Sequence, residues 1–256
     1  MAETLLTHTN RVIARLNEVQ LTSSDFASSR GIQTQCKNAI NEAVRYINQK
    51  EFQYPFNHTT KTQTLTAGTV KYSIPTDAKT VDYNTFRLVK DSDLGVSGGR
   101  LSILNYNDYV NSYITQEDEI STTTLSQSHT DSVTTITVAS TSGFDSSGTL
   151  FIGNEQVTYT GTTSTTFTGA TRGANSTTES AHDSGVQVAQ FDRGAIPSYV
   201  TRTPDNNYIL YPYPNKSFSI KYDYFTFPSD MSAHGDTTSI PDRFAPVIAD
   251  GATAFV

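Results

Sequence analysis

Apolar residues recur every three or four positions in the first fifty residues, which is the spacing of one side of an α-helix. One such run lies within residues 3–20, and a second extends from Ile32 to Lys50. Ser24 and Asp25 precede the second run and are residue types that cap helix starts. The pattern therefore predicts two amphipathic helices at the start of the chain.

After Tyr54-Pro55 the period changes to two, which is typical of β-strands. The predicted strands are 62–66, 70–74, 85–90 and 100–104. Gly68 tolerates the positive φ of a tight turn, so we expect the first two strands to form a hairpin. Asn105 or Asn107 is expected to cap a short helix that reaches Ile114.

The composition shifts abruptly between residues 121 and 185. Of these 65 residues 31 are Ser or Thr, none is Lys, and Arg172 is the only basic residue. Apolar residues nevertheless persist at strand spacing, as in Ile136 and Val138, with glycine turns between them. We expect residues 121–189 to form a small all-β module inserted into a parent domain made of 1–120 and 190–256.

Strand alternation returns after Ser198 and gives way to helical spacing near the end. A short strand at 208–211 is followed by a strand with Phe218, Ile220, Tyr222 and Tyr224 on one face. Pro241-Asp242 then opens a helix expected over 243–256. The predicted fold class is α+β: a helical bundle of the amino-terminal and carboxy-terminal helices, an antiparallel β-rich part and the inserted module.

Composition narrows the classes of function. The net charge of −7 argues against a protein that grips the phosphate backbone of nucleic acid. Cys36 is the only cysteine, which excludes an intrachain disulfide and a Cys-based zinc site. The start lacks the pattern of a signal peptide, and no apolar run is long enough for a bilayer. We expect a soluble protein made in a cytoplasm.

Candidate catalytic groups are sparse. The five histidines lack the spacing that places two metal ligands on one face, and we interpret most of them as solvated loop residues. The acidic run 116–119 lacks the glycine bend of a calcium loop and is interpreted as a solvated helix end. No nucleophile elbow or phosphate-binding loop occurs. We therefore expect no enzyme, and we assign no catalytic, cofactor-binding or metal residue.

Tyrosine and phenylalanine are the one marked enrichment, with 14 Tyr and 13 Phe but no Trp. Such residues can stack sugars or bases, and they also fill cores and subunit interfaces. Here they alternate with polar residues as a half-buried sheet requires, which favours a core or a subunit interface.

An ordered series of aromatic strands and a helix start occupies the end of the chain. Its motifs are Pro197-Ser198-Tyr199, Asn207-Tyr208-Ile209-Leu210-Tyr211-Pro212-Tyr213-Pro214, Lys221-Tyr222-Asp223-Tyr224-Phe225 and Ile240-Pro241-Asp242-Arg243-Phe244. With the amino-terminal helix pair, the series resembles the head-to-tail adaptors of short-tailed bacteriophages, of the tail tubular protein A type. The resemblance covers residues 1–120 and 190–256. Residues 134–161 and 167–173 are similar to a small β module that recurs in phage virion proteins.

The resemblance implies a structural virion protein, assembled in the host cytoplasm and located at the head-tail junction. It implies a dodecameric ring that joins the portal protein above to the tail nozzle below and lets DNA pass without sequence-specific binding. The last helix is expected to pack on the first two and to point toward the portal. The candidates for the ring or portal interface are Phe244, Val247, Ile248, Phe255, Val256, Tyr222 and Tyr224.

The inserted module leaves a second function open. It is expected to project from the ring, where it could contact tail fibres or host glycans. The alternative function is a carbohydrate-binding or host-adhesion tail protein that acts through this module. A hydrolase of cell-wall or capsule sugars would need two acidic groups facing each other across a cleft, and nothing in the sequence points to such a pair.

Overall fold

The chain is a mixed α and β protein in which strands predominate. The computed structural model describes residues 3–117, 120–191 and 194–256. The helices of this described part are α1 (Leu5–Arg15), α2 (Ile32–Lys50), α3 (Tyr106–Ser112) and α4 (Ala245–Thr253). Short 3₁₀ turns include Pro55–Asn57 and Asp242–Phe244.

The strands are short and mostly antiparallel. They are β1 (His58–Thr64), β2 (Lys71–Ser73), β3 (Ala78–Leu88), β4 (Gly99–Arg100), β5 (Ser102–Ile103), β6 (Ser121–Thr124), β7 (Thr135–Thr137), β8 (Gly148–Ile152), β9 (Glu155–Tyr159), β10 (Gly161–Thr162), β11 (Thr166–Thr168), β12 (Gln187–Gln190), β13 (Tyr199–Arg202), β14 (Asn207–Tyr211) and β15 (Ser219–Thr226). Within the described residues they form sheets in the orders β1-β15-β3-β4, β2-β14-β13-β5, β6-β12-β8-β9 and β10-β11-β7.

The chain divides into two compact units. Unit 1 consists of residues 1–59, 75–81 and 224–256, and unit 2 consists of 60–74 and 82–223. Residues 121–189 lie wholly within unit 2, together with sheet residues from both sides of them in sequence. The predicted separation of 121–189 as a domain of its own stays a prediction.

Unit 1 is built around a helical core. Both predicted amino-terminal helices are confirmed, and Thr4 caps the first by accepting a hydrogen bond from the backbone N–H of Thr7. The apolar faces of α1, α2 and α4 bury side chains in one shared cluster, so the expected packing of the last helix on the first two is also found. Cys36 belongs to that core, where the thiol acts as a small apolar group.

Small side chains hold α4 close to its neighbours. Its buried face consists of Ala245, Ile248, Ala249 and Ala252. A methyl group placed on Gly251 would lie 3.4 Å from the Cβ of Ala43 in α2, which is a close approach for two helix surfaces. Larger residues on this face would push α4 outward.

The Ser/Thr-rich stretch of unit 2 has a core of its own. In β8 and β9 alternate residues are buried, and Leu150 pairs with Val157 in the antiparallel register. The strand spacing predicted for this stretch, including the strand at Ile136, is therefore confirmed. The buried members of this cluster are Leu125, Ile136, Val138, Leu150, Ile152, Val157, Tyr159, Phe167, Ala170 and Val188.

The predicted hairpin around Gly68 is wrong. The chain does turn there, but β1 joins the sheet of β15 while β2 pairs with β14. Gly68 has a φ of 73°, and a Cβ on it would lie 2.8 Å from the Cβ of Ala189. The turn therefore passes under β12, and the two strands leave it for different sheets instead of pairing.

Candidate interaction surface

An open apolar groove lies on unit 1, with a volume of about 720 Å³. One wall is the last turn of α2, another is the segment that follows it, and the third is the start of α4. The lining residues are Tyr46, Ile47, Lys50, Tyr54, Pro55, Phe56, Ile240, Pro241, Arg243, Phe244 and Val247. We call this set the α2–α4 groove.

Local sequence signals explain why the groove forms. Helix α2 ends at Lys50, and a 3₁₀ turn follows at Pro55–Asn57. The rings of Tyr54 and Phe56 on either side of this proline stack with centroids 4.8 Å apart. Proline fixes φ and cannot continue a helix, so it holds the two aromatic rings in place as one wall.

The groove exposes large apolar side chains to solvent. Tyr46 is 51% exposed, Phe244 38% and Val247 52%. The ring of Phe255 continues the surface, because its edge meets the Tyr46 ring at a centroid distance of 6.4 Å. Contiguous exposed apolar groups of this kind mark places where a protein binds another molecule. The lining is predominantly apolar and aromatic, which suits it to binding.

Among the described residues, the charged members of the lining are two cations, Lys50 and Arg243. The Lys50 ammonium lies 4.5 Å from the centroid of the Tyr46 ring. The Arg243 guanidinium lies 5.0 Å from the centroid of the Phe244 ring. Both charges therefore sit over aromatic faces at the groove, which gives the apolar surface a positive edge.

The structure places three of the predicted interface residues at this surface or in contact with it, and a fourth, Val256, is exposed. Phe244 and Val247 line the groove directly. Phe255 touches Tyr46, and Val256 is 39% exposed at the end of the described chain. Their part in an interface stays a prediction.

The other three predicted interface residues are buried in the single chain and are not available to a partner. Ile248 is fully buried in the helical core of unit 1. Tyr222 is fully buried in unit 2, where its ring stacks on Phe86 at 4.4 Å and meets Tyr208 edge to face. Tyr224 is 6% exposed. These tyrosines fill the cores of β-sheets, so we remove all three residues from the set of interface candidates.

Sequence reasoning missed most of the groove. Tyr46 and Lys50 are four residues apart on α2, which places them side by side on one helix face. Tyr54 and Phe56 flank a proline directly after that helix. The sequence signal for the groove was an aromatic residue beside a lysine at a helix end, followed by an aromatic-proline-aromatic motif.

A second group of polar residues, in unit 2, is largely buried. The Glu155 carboxylate accepts two hydrogen bonds of 2.7 Å from Arg172, one from the backbone N–H of Gly173 and a longer one from that of Ser180. His182 Nε2 lies 2.7 Å from the same carboxylate. Both carboxylate oxygens of Glu155 have hydrogen-bond partners. We therefore interpret the cluster as a structural one that holds the loops of Arg172 and His182 together.

The ionisation of Glu155 follows from these contacts. Burial alone would raise the pKa of this carboxyl, but hydrogen bonds from Arg172, Gly173 and His182 outweigh it and lower the pKa below its ordinary value. The carboxylate therefore stays charged in the folded protein, opposite a guanidinium that is itself 4% exposed.

The interpretation of most of the histidines as solvated is wrong, because only His58 and His234 are exposed. His8 and His129 are buried, and His182 is the Glu155 partner. Burial lowers the pKa of His8, and His129 Nε2 accepts the backbone N–H of Thr137. Each of these rings is held inside the fold by local packing that the sequence spacing does not reveal.

Other features of the sequence can be placed only within the described residues. Of the acidic run, Asp118 and Glu119 lie outside the described part of the chain, and Gln116 is buried instead of solvated. Across residues 3–117, 120–191 and 194–256, no three His, Cys, Asp or Glu side chains converge as a metal site would need. None of the helices in those ranges has the length and apolar character of a membrane span.

The assignment of Ile248 to the core and Val247 to the surface predicts opposite effects for two adjacent substitutions. Ile248→Ala removes a fully buried side chain and should lower the free energy of unfolding by about 2–5 kcal/mol. Val247→Ala shortens a half-exposed side chain and should alter the free energy of unfolding by less than about 0.5 kcal/mol. Chemical denaturation followed by circular dichroism checks both, and equal effects would contradict the placement of α4.

The Glu155 cluster predicts acid sensitivity. Because its folded pKa is lowered, Glu155 stabilises the fold above the unfolded pKa of about 4.3, and this stability is lost as the pH falls through the lowered value. Glu155→Gln should lower the free energy of unfolding by about 3–5 kcal/mol at neutral pH. It should also make this free energy less dependent on pH below about pH 4. Glu179→Gln, an exposed acid nearby in sequence, is the matched control and should change neither. Denaturation midpoints measured from pH 7 to pH 3 test this.

The chain was compared with models of known protein families and with curated proteins. No model of a known protein family matches the chain, and no curated protein matches it either.

Proposed function

We propose that the chain is a structural virion protein, the head-to-tail adaptor of a short-tailed bacteriophage. In this proposal twelve copies form a ring between the portal protein and the tail nozzle. The ring extends the channel through which the genome is retained and then ejected. The chain acts as a connector and not as an enzyme, and its place is the tail of the virion.

The order of elements supports the proposal. Two helices, a β-rich part and a final helix follow one another as the resemblance implies, and α1, α2 and α4 share one core. We interpret these three helices as the helical bundle of an adaptor. Repeated heterologous contacts between such copies close into a ring when the rotation between neighbours is right.

The α2–α4 groove is the observation that carries the proposal. An adaptor must bind proteins on several sides, and this groove leaves Tyr46, Phe244 and Val247 exposed in the single chain. Aromatic residues and arginine are enriched in protein interfaces, and here they occur together. The proposal assigns the groove to the portal side of the ring, in keeping with the expected orientation of the last helix.

The charge of the chain fits a passage for DNA. With a net charge of −7 the protein lacks the excess of cations that holds phosphates in place. In the proposed ring DNA passes through without sequence-specific contacts. The module of residues 121–189 would face away from the channel, where tail fibres are accessible to it.

A second function is favoured by one observation in unit 2. A polar pocket of about 400 Å³ is lined by hydroxyl and amide side chains that include Ser147, Gln156 and Asn175, with the Phe151 ring among them. Hydroxyl and amide groups beside an aromatic face suit the binding of a sugar ring. A carbohydrate-binding or host-adhesion tail protein is therefore the alternative.

Electron microscopy of the purified chain mixed with the portal protein of the same virus separates the two functions. The adaptor proposal predicts a twelve-fold ring on the portal, with Val256 nearer to the portal than residues 121–189 are. Deleting 121–189 should leave the ring intact.

The adaptor proposal fails if the chain stays unbound beside the portal. A chain that ignores the portal but binds glycans on an array, and loses this binding in Asn175→Ala, would establish the alternative.

A further inference from the structure

The α2–α4 groove combines an apolar floor with cations that have no acidic partner. Three arginines elsewhere in unit 1 have acidic partners: Arg11 pairs with Glu3, Arg15 with Asp250 and Arg45 with Asp230. Within the described residues no carboxylate lies at ion-pair distance from Lys50 or Arg243. Two unpaired cations are therefore concentrated at one apolar surface.

The acids that are nearest in sequence are engaged elsewhere. The Oε1 atom of Glu51, next to Lys50, accepts the backbone N–H groups of Phe52 and Gln53. The Oδ1 atom of Asp242, next to Arg243, accepts the backbone N–H of Glu3. Neither carboxylate forms an ion pair with the cation next to it, so Lys50 and Arg243 can each pair with a ligand that carries negative charge.

The shape of the groove favours a protein segment. It runs between the end of one helix and the start of another, it is open to solvent, and its volume of about 720 Å³ accommodates several large side chains. An amphipathic helix that lays apolar residues into a groove, with charged residues along the margin, is a common mode of recognition between proteins. The aromatic walls offer the flat surfaces that such anchors contact.

We propose that the groove receives an acidic amphipathic segment of a partner protein. Its aliphatic or aromatic side chains contact Phe56, Phe244 and Val247, and its carboxylates pair with Lys50 and Arg243. The identity of the partner as the portal protein rests on the proposed function. The chemistry of the segment rests on the groove alone.

A pair of synthetic peptides tests the charge of the occupant. Both are fifteen-residue helix formers with Leu and Phe along one face, flanked by Glu in the first and by Lys in the second. The full chain should bind the Glu peptide at least about tenfold more tightly than the Lys peptide in fluorescence anisotropy at low salt. The preference should shrink in 0.5 M salt, because exposed charges are then screened.

Variants locate the binding. Lys50→Glu combined with Arg243→Glu should abolish or reverse the preference, while Arg30→Glu, an exposed cation elsewhere in unit 1, should leave it unchanged. Val247→Asp should weaken the binding of the Glu peptide about tenfold. Val19→Asp, at an exposed valine that does not line the groove, is its matched control and should have no effect.

Three results would overturn the inference: equal binding of the two peptides, failure of the wild-type chain to bind either, or an unchanged preference in the Lys50→Glu and Arg243→Glu variant. Concentration-dependent self-association that displaces the Glu peptide would assign the groove to a second copy of this chain instead.

Binding to the portal protein separates this inference from the proposed function. If the portal binds the wild-type chain and the double variant equally well, the adaptor function stands and the groove inference fails. If the portal does not bind but the Glu peptide does so through Lys50 and Arg243, the inference stands and the adaptor function fails.

Discussion

The close approach of α4 to α1 and α2 is the constraint on which the rest of unit 1 depends. It requires small residues on the buried face of the last helix, and Ala249 and Ala252 meet that requirement. At Gly251 the space left toward Ala43 is about that of a single methyl group. The small side chains of α4 face the core, and the large residues near its start, Phe244 and Val247, are exposed to solvent.

That division between core and surface creates the proposed interface. The start of α4, the end of α2 and the Pro55 segment after it converge, and their aromatic side chains form a groove instead of closing over one another. Burial of this apolar surface by a partner would be favourable, at roughly 25 cal/mol for each Å² removed from water. The two cations at its edge add a preference for the charge of the occupant.

The periodic patterns of the sequence predict the helices and strands well. They do not predict which residues from different elements come together in space. The period of α1 and α2, the Asn105 cap of α3 and the alternation in β15 follow from local preferences that the sequence displays directly. The Gly68 turn was predicted as a hairpin because its local signal is the same whether the flanking strands pair or diverge. Tyr222 and Tyr224 were assigned to an interface because alternation does not distinguish a sheet face covered by the same chain from one covered by another. The Glu155–Arg172 pair and the groove join residues distant in sequence, which no periodicity records.

Hydrogen–deuterium exchange of the chain, free and bound to the portal protein, tests most directly the claim that the α2–α4 groove is the surface by which the chain joins a virion. The account predicts that binding slows exchange in residues 46–56 and 240–247, while residues 121–189 exchange as in the free chain. Protection confined to residues 121–189, with the groove unchanged, would contradict it.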